Sequence, residues 1–253
     1  MVLDKFKLNG KVAIVTGSST GLGQGISVAY AQAGAKVVGV DYVESPDTEA
    51  KIKEFGGEFV GVVANLMSTE PLEGIIDTAV SKFGGVDILV NNAGIIRRED
   101  AIEFSEKNWD DVMNINLKTV FFFSQAVAKR FVSRGTGGKI INIASMLSYQ
   151  GGIRVPSYTA SKSGVKGITM ALANEWAQHN ININAIAPGY MATNNTAQLR
   201  ADADRSEAIL DRIPAGRWGT PDDLMGVAVF LASSASDYVN GFAIAVDGGW
   251  LAR

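Results

Sequence analysis

The chain has 253 residues, 47% hydrophobic and 19% charged, which suits one globular unit with a sizeable core. A net charge of −3 without any basic run argues against a nucleic-acid partner. There is no cysteine and one histidine, His179, so disulfides, thiolate chemistry and multi-histidine metal centres are excluded and no metal is expected.

In chain order, MVLDKFKLNGKVAIVTG has no apolar core followed by a small-residue cleavage site, and no run reaches the ~18 apolar residues of a membrane helix. A cytoplasmic protein is expected. Short β-branched runs then alternate with helical periodicity. Strands are predicted over 11–16, 36–41, 58–63, 86–91, 139–144, 182–187 and 242–246. Helices are predicted over 21–33, 46–56, 70–83, 108–133, 157–179 and 221–234. Runs apolar on both faces suit parallel strands covered on both sides, so the pattern predicts a doubly wound α/β sheet over 1–253 as one domain. Residues 188–216 break the rhythm. They form a long polar connection that opens with Pro188-Gly189, a candidate substrate lid.

The first strand runs into Thr16-Gly17-Ser18-Ser19-Thr20-Gly21-Leu22-Gly23. A glycine-rich turn between strand and helix lets backbone amides approach a pyrophosphate at the positive end of the helix dipole. The spacing, G-x3-G-x-G, differs from the general G-x-G-x-x-G fingerprint. The second strand ends in Asp41, 18 residues past Gly23, followed by Tyr42. A carboxylate there bonds a free ribose and repels a 2′-phosphate, and positions 18–20 carry no Lys or Arg, so the expected cofactor is NAD.

Tyr158 and Lys162 lie four apart in a predicted helix, hence on one face. A tyrosine hydroxyl titrates near 10, too high for a base at neutral pH. A neighbouring ammonium, with the positive charge of an oxidised nicotinamide, favours phenolate, and the pair can then exchange a proton with an alcohol or ketone. Ser145, ending the fifth strand, can steady the charge on the reacting oxygen; Ser148 is a rival. Asn116 and Asn114 sit mid-helix, where asparagine invites a local distortion, and periodicity does not choose between them.

Together TGSSTGLG (16–23), NNAG (91–94), NINL (114–117), INIAS (141–145), YTASK (158–162) and PGYMAT (188–193) resemble the short-chain dehydrogenase/reductase family. The resemblance implies a Rossmann-type sheet of seven parallel strands with helices on both faces. It implies Tyr158 as acid/base, Lys162 as its partner on the nicotinamide ribose, Ser145 as stabiliser of the substrate oxygen, and Asn116, rather than Asn114, in the proton relay. It places Gly17, Ser19, Thr20, Gly21, Leu22, Gly23, Asp41, Tyr42, Asn92, Ala93 and Gly94 along the pyrophosphate and adenosine. Ala64, Asn65 and Leu66 fall beside adenine, with Asn65 where the family usually has aspartate. Pro188, Gly189, Met191 and Thr193 would meet the nicotinamide end. Longer stretches, NNAGIIRREDA, MLSYQGGIRVPSYTASKSG and VDGGWLAR among them, are similar to members acting on sugar acids.

A sugar acid brings a carboxylate, for which a guanidinium is the natural bidentate partner. Arg97, Arg98 and Arg154 lie on segments bordering the predicted pocket; Arg98 and Arg154 are the candidates. Gln150, Asn194 and Asn195 could bond hydroxyls. Phe121-Phe122-Phe123 reads as packing. Ala160, Ser161, Ser163, Gly164 and Gly167 narrow one side of their helix, for close approach either to the subunit's own elements or to a second copy; the resemblance implies a homotetramer. Two other readings remain at this stage: a 3-oxoacyl-type ketoreductase, which Asp41 disfavours, and a non-catalytic dinucleotide-binding regulator, which has no use for Tyr158, Lys162 and Ser145.

Overall fold

The computed structural model describes residues 1–253. Seven strands carry the fold: β1 (Val12–Thr16), β2 (Lys36–Asp41), β3 (Phe59–Val63), β4 (Ile88–Asn91), β5 (Gly138–Ile143), β6 (Ile181–Pro188) and β7 (Ala243–Val246). All pair in parallel, in the order β3-β2-β1-β4-β5-β6-β7. Each predicted strand is present to within two residues at either end. The helices are α1 (Gly21–Gln32), α2 (Pro46–Lys53), α3 (Leu72–Phe83), α4 (Glu106–Met113), α5 (Thr119–Arg134), α6 (Pro156–Trp176), α7 (Ala197–Ala201), α8 (Ala203–Leu210) and α9 (Asp222–Ala232).

Strand periodicity explains the two-sided core. Along β1, Ala13 and Val15 enter one apolar cluster with Ile26 and Tyr30 of α1 and Leu224 and Ala228 of α9. Val12 and Ile14 enter the other, with Ile75 and Ile76 of α3, Phe123 and Val127 of α5 and Leu172 of α6. Successive side chains point to opposite faces, so a strand buried on both sides must be apolar throughout. Strand order reverses between β1 and β4, which opens a crevice at their carboxyl ends.

One expectation is corrected and others gain detail. The helix predicted over 108–133 is two helices joined by a π-helical turn, Asn114–Lys118, where the Thr119 amide donates to the Asn114 carbonyl. Such a turn takes one extra residue and re-aims the side chains within it. The polar connection 188–216 contains α7 and α8; Ile209 and the following Ile213 are buried against Met146 and Trp250, so this flap has its own small core. Of the three consecutive phenylalanines, Phe123 is fully buried, but Phe122 is 41% exposed. The small-residue side of α6 divides likewise. A side chain at Gly164 would meet Leu117 of the π turn at 2.8 Å, whereas Gly167 faces open space.

Candidate active site

The glycine turn sits over the crevice between β1 and β4. Gly17 and Gly21 have φ of +68° and +58°. A Cβ on Gly17 would lie 2.7 Å from Asn92 Nδ2, and one on Gly23 would strike the Gly17 carbonyl, so only glycine closes the turn this tightly. Thr20 precedes α1 without a side-chain cap, leaving the first amides of the helix free for an anion. Ser19, Thr20 and Leu22 lie in this turn and Tyr42 is exposed beside it. This cradle fits a dinucleotide pyrophosphate.

Thr16 and Asn92 tie the strand ends together. The Thr16 hydroxyl donates to the Val90 carbonyl and accepts from the amides of Asn92 and Ala93, both at 2.9 Å. Asn92 Nδ2 donates to the Thr16 carbonyl at 2.8 Å and to that of Gly17 at 3.2 Å. Asp41 is 8% exposed; its Oδ2 accepts from the Ser19 amide at 2.9 Å and its Oδ1 from the Tyr42 amide at 2.7 Å. Each oxygen keeps a lone pair for a ribose hydroxyl. Asn65 is exposed and accepts from the Met67 amide; beside it Ala64 is half-buried and Leu66 buried, its carbonyl held by the Thr119 hydroxyl at 2.9 Å.

Helix α6 starts at Pro156, whose fixed φ suits the first turn. It carries Tyr158 and Lys162 toward the end of β5. The Ser145 hydroxyl accepts from the Leu147 amide at 3.1 Å and lies near enough to the Tyr158 phenol to favour its ionised form. Ser148 is excluded as its rival, because its hydroxyl is buried and donates to the Lys162 carbonyl at 2.6 Å. Lys162 Nζ is buried, 5.6 Å from the centre of the Tyr158 ring, and donates to the Ile143 carbonyl at 2.6 Å.

Burial, not charge, dominates both groups. It raises the Tyr158 phenol above its ordinary value, while the Ser145 hydroxyl and the Arg98 charge pull the other way. It pushes the Lys162 amine down to about 8. The expected lowering of the phenol by Lys162 is therefore not what the protein alone provides.

Asn116, in the π turn, is fully buried. It accepts from the Ile95 amide and donates to the Ile95 carbonyl, both at 2.9 Å, and reaches Ser161 at 3.3 Å. It thus pins the segment after NNAG to α6, close to Gly94. Asn114 is only half-buried.

At the carboxyl end of β6, Gly189 packs against Asp247, where no side chain would fit, and Met191 is buried beside Gly219. Thr193 stands over Gly21. Arg98 is half-buried and donates to the Asn195 carbonyl of the flap at 3.2 Å. Arg97 faces Asp111 at 3.8 Å. Arg154 does not share the Arg98 position: its Nε pairs with Asp100 at 2.9 Å, and its φ is +64°. Gln150 is engaged too, its Oε1 accepting from Trp250 Nε1 at 3.1 Å, with the Arg212 guanidinium stacked on Trp250. Asn194 and Asn195 are exposed on the flap.

The sequence reading passed over Thr16 and Ser161. Thr16 was signalled by a hydroxyl at a strand end before the glycine turn. Nothing local signalled Ser161, which matters only because α6 meets the π turn.

A phenol, a buried amine and a hydroxyl gathered beside a dinucleotide cradle define a nicotinamide-dependent oxidoreductase. The chain belongs to the short-chain dehydrogenase/reductase family. The profile described as enoyl-(acyl carrier protein) reductase matches residues 17–251. The 2-dehydro-3-deoxy-D-gluconate 5-dehydrogenase of Dickeya dadantii is 69% identical over 253 residues, covering all of both chains. A solved protein from Agrobacterium tumefaciens with bound NADP, provisionally named 2-deoxy-D-gluconate 3-dehydrogenase, is 55% identical with a TM-score of 0.92, covering 98% of this chain and 99% of that one. The gluconate 5-dehydrogenase of Burkholderia cenocepacia in complex with NADP and tartrate is 38% identical with a TM-score of 0.94 over the full length of both. No helix is long and apolar enough to cross a membrane.

Proposed function

We propose that the protein is an NAD-dependent dehydrogenase that interconverts a secondary alcohol and a ketone on a sugar acid, of the 2-deoxy-D-gluconate or 2-dehydro-3-deoxy-D-gluconate kind. The observation that carries this reading is the Tyr158–Lys162 pair on α6, with Nζ 5.6 Å from the centre of the ring and bonded to the Ile143 carbonyl of β5, and with Ser145 just past that strand. The full-length identity to a sugar-acid dehydrogenase supports the substrate class.

In oxidation, Tyr158 takes the hydroxyl proton of the alcohol; in reduction, it returns a proton to the ketone oxygen. When bound, the dinucleotide accepts or donates the hydride. Ser145 donates to the same substrate oxygen and holds it against the phenol. Lys162, short of water and anchored to β5 by the Ile143 carbonyl, offers its remaining hydrogens to the nicotinamide ribose and the phenol. Asn116 keeps the segment after Asn92, Ala93 and Gly94 in place as the floor of the site. Pro188, Gly189, Met191 and Thr193 border the nicotinamide end, and Asp41 takes the adenosine ribose.

The carboxylate falls to Arg98. Its single neutral partner, the Asn195 carbonyl, is easily exchanged for an anion, while Arg154 is held by Asp100. With Arg98 tied to the flap, Asn194 and Asn195 are brought within range of the sugar hydroxyls, and Gln150 still has its amide hydrogens free. NADP in two of the related structures is the specific reason to test the other coenzyme. A homotetramer in the cytoplasm completes the proposal, the exposed Phe122 and Val132 of α5 and Met170 of α6 being the faces offered to further copies.

The test is a panel of sugar-acid alcohols with NAD⁺ and NADP⁺ and of 3-oxoacyl thioesters with NADH and NADPH, followed by the absorbance of the reduced nicotinamide ring. Turnover of a sugar acid with NAD supports the proposal. Turnover confined to oxoacyl thioesters with NADPH, or to none, overturns it.

A further inference from the structure

We infer that Thr48 and Gln24 are positioning residues for coenzyme selection, acting through the backbone of Ser18 and Ser19. The inference rests on the reading of Asp41 as the ribose partner.

The Ser18–Ser19 peptide is held from both sides. On the inner side the Ser19 amide donates to Asp41 Oδ2 at 2.9 Å. On the outer side the Thr48 hydroxyl, fully buried in α2, donates to the Ser18 carbonyl at 2.7 Å. Gln24 of α1 donates to the Ser19 carbonyl at 3.1 Å and to the Thr48 hydroxyl at 3.0 Å. Lys51 donates to Gln24 Oε1 at 2.7 Å and so fixes which way that amide faces. A trans peptide is planar, with C=O and N–H on opposite edges. Capturing the Ser18 carbonyl on the outside therefore aims the Ser19 N–H inward, at the carboxylate. Capturing the Ser19 carbonyl does the same for the Thr20 N–H.

These groups do not line the cradle. They set where the Asp41 charge stands. A carboxylate held by the Ser19 and Tyr42 amides presents its free lone pairs at one place, where a ribose diol gains two bonds and a 2′-phosphate meets a like charge. Without the outer capture the peptide can turn, the carboxylate loses one of its two donors, and the side chain can swing away. Selectivity then drops more than affinity does.

The experiment measures Kd for NAD and for NADP by calorimetry, with no substrate present, in the wild type and in Thr48→Val, Thr48→Ser and Gln24→Leu. Valine keeps the shape of threonine and removes the hydroxyl. The readout is the ratio Kd(NADP)/Kd(NAD). The ratio is expected to fall about five- to tenfold in Thr48→Val, to stay near wild type in Thr48→Ser, and to fall less in Gln24→Leu. A ratio unchanged in Thr48→Val, or both affinities lowered by the same factor, overturns the inference, since general loosening of the fold would act on both coenzymes alike. Gln24 is only half-buried, so its variant carries the test should Thr48→Val fail to fold. The wild-type ratio by itself judges the NAD reading: a value below one defeats that choice, while the comparison among variants still decides the role of Thr48.

Discussion

The two ends of the crevice are built differently. At the end proposed for the coenzyme, Thr16, Asp41 and Thr48 are buried and Asn92 half-buried, and each holds two or more partners, most of them backbone. At the substrate end, the charges stand on loops. Arg98 has one neutral partner, Arg154 and Asp100 form an exposed pair, and Asn194 and Asn195 lie free on the flap. A ligand common to many enzymes is met by a preformed backbone shape, which costs nothing to order on binding. A ligand particular to one enzyme is met by side chains on exposed loops that can change partners. Tyr158 sits between the two ends, on a long helix anchored in the sheet.

The comparison can be broken or sharpened at four positions. The largest effect belongs to Tyr158→Phe, expected to lower kcat by about a thousandfold while leaving the Kd of NAD near wild type, read by steady-state rates and calorimetry. Next is Arg98→Leu, expected to raise KM for a sugar acid by about ten- to a hundredfold, with little change for a neutral polyol. Equal losses on both substrates would move the carboxylate elsewhere.

Lys162→Met should slow turnover less than Tyr158→Phe does, yet stabilise the fold. Burial holds the amine near 8 against 10.5 in the unfolded chain, so below pH 8 the native state carries an ammonium it disfavours. That cost fades as pH rises from about 8 to 10.5, because the native amine loses its proton first. The variant is therefore expected to exceed the wild type by roughly 1–3 kcal/mol at pH 7, with the difference shrinking toward pH 10, in urea titrations. A constant difference would contradict the buried ammonium. The smallest effect is at Arg154, where φ is +64°. Glycine relieves the left-handed backbone and loses only an exposed ion pair, so Arg154→Gly should match or exceed wild-type stability by about 0.5–1 kcal/mol, while Arg154→Ala falls below it. KM for the sugar acid should barely move in either.

Much of this was legible in the sequence for identifiable reasons. The seven strands showed because parallel strands buried on both faces must be continuous apolar runs. The glycine turn, Asp41 and the Tyr158–Lys162 pair showed because their spacing is local. By periodicity Asn116 showed only as a mid-helix oddity equivalent to Asn114, and the family resemblance alone preferred it; its grip on Ile95 depends on the π turn. The flap showed as a long polar connection, without its helices, because α7 and α8 are short and bury little beyond Ile209. The bracket of Gln24 and Thr48 was not readable, since its members meet only when α2 folds back on the turn after β1. Spacing places the Lys162 amine beside Tyr158, but the burial that raises the phenol and lowers the amine comes from tertiary packing and is not visible in it.

The most direct test of the central claim is a tyrosinate difference titration, wild type minus Tyr158→Phe, followed in the ultraviolet with and without saturating NAD⁺. The account predicts a Tyr158 ionisation above the ordinary tyrosine range of about 10 in the free protein, because burial dominates, moving down when the positive nicotinamide is bound. An ionisation that does not move with the coenzyme would contradict it.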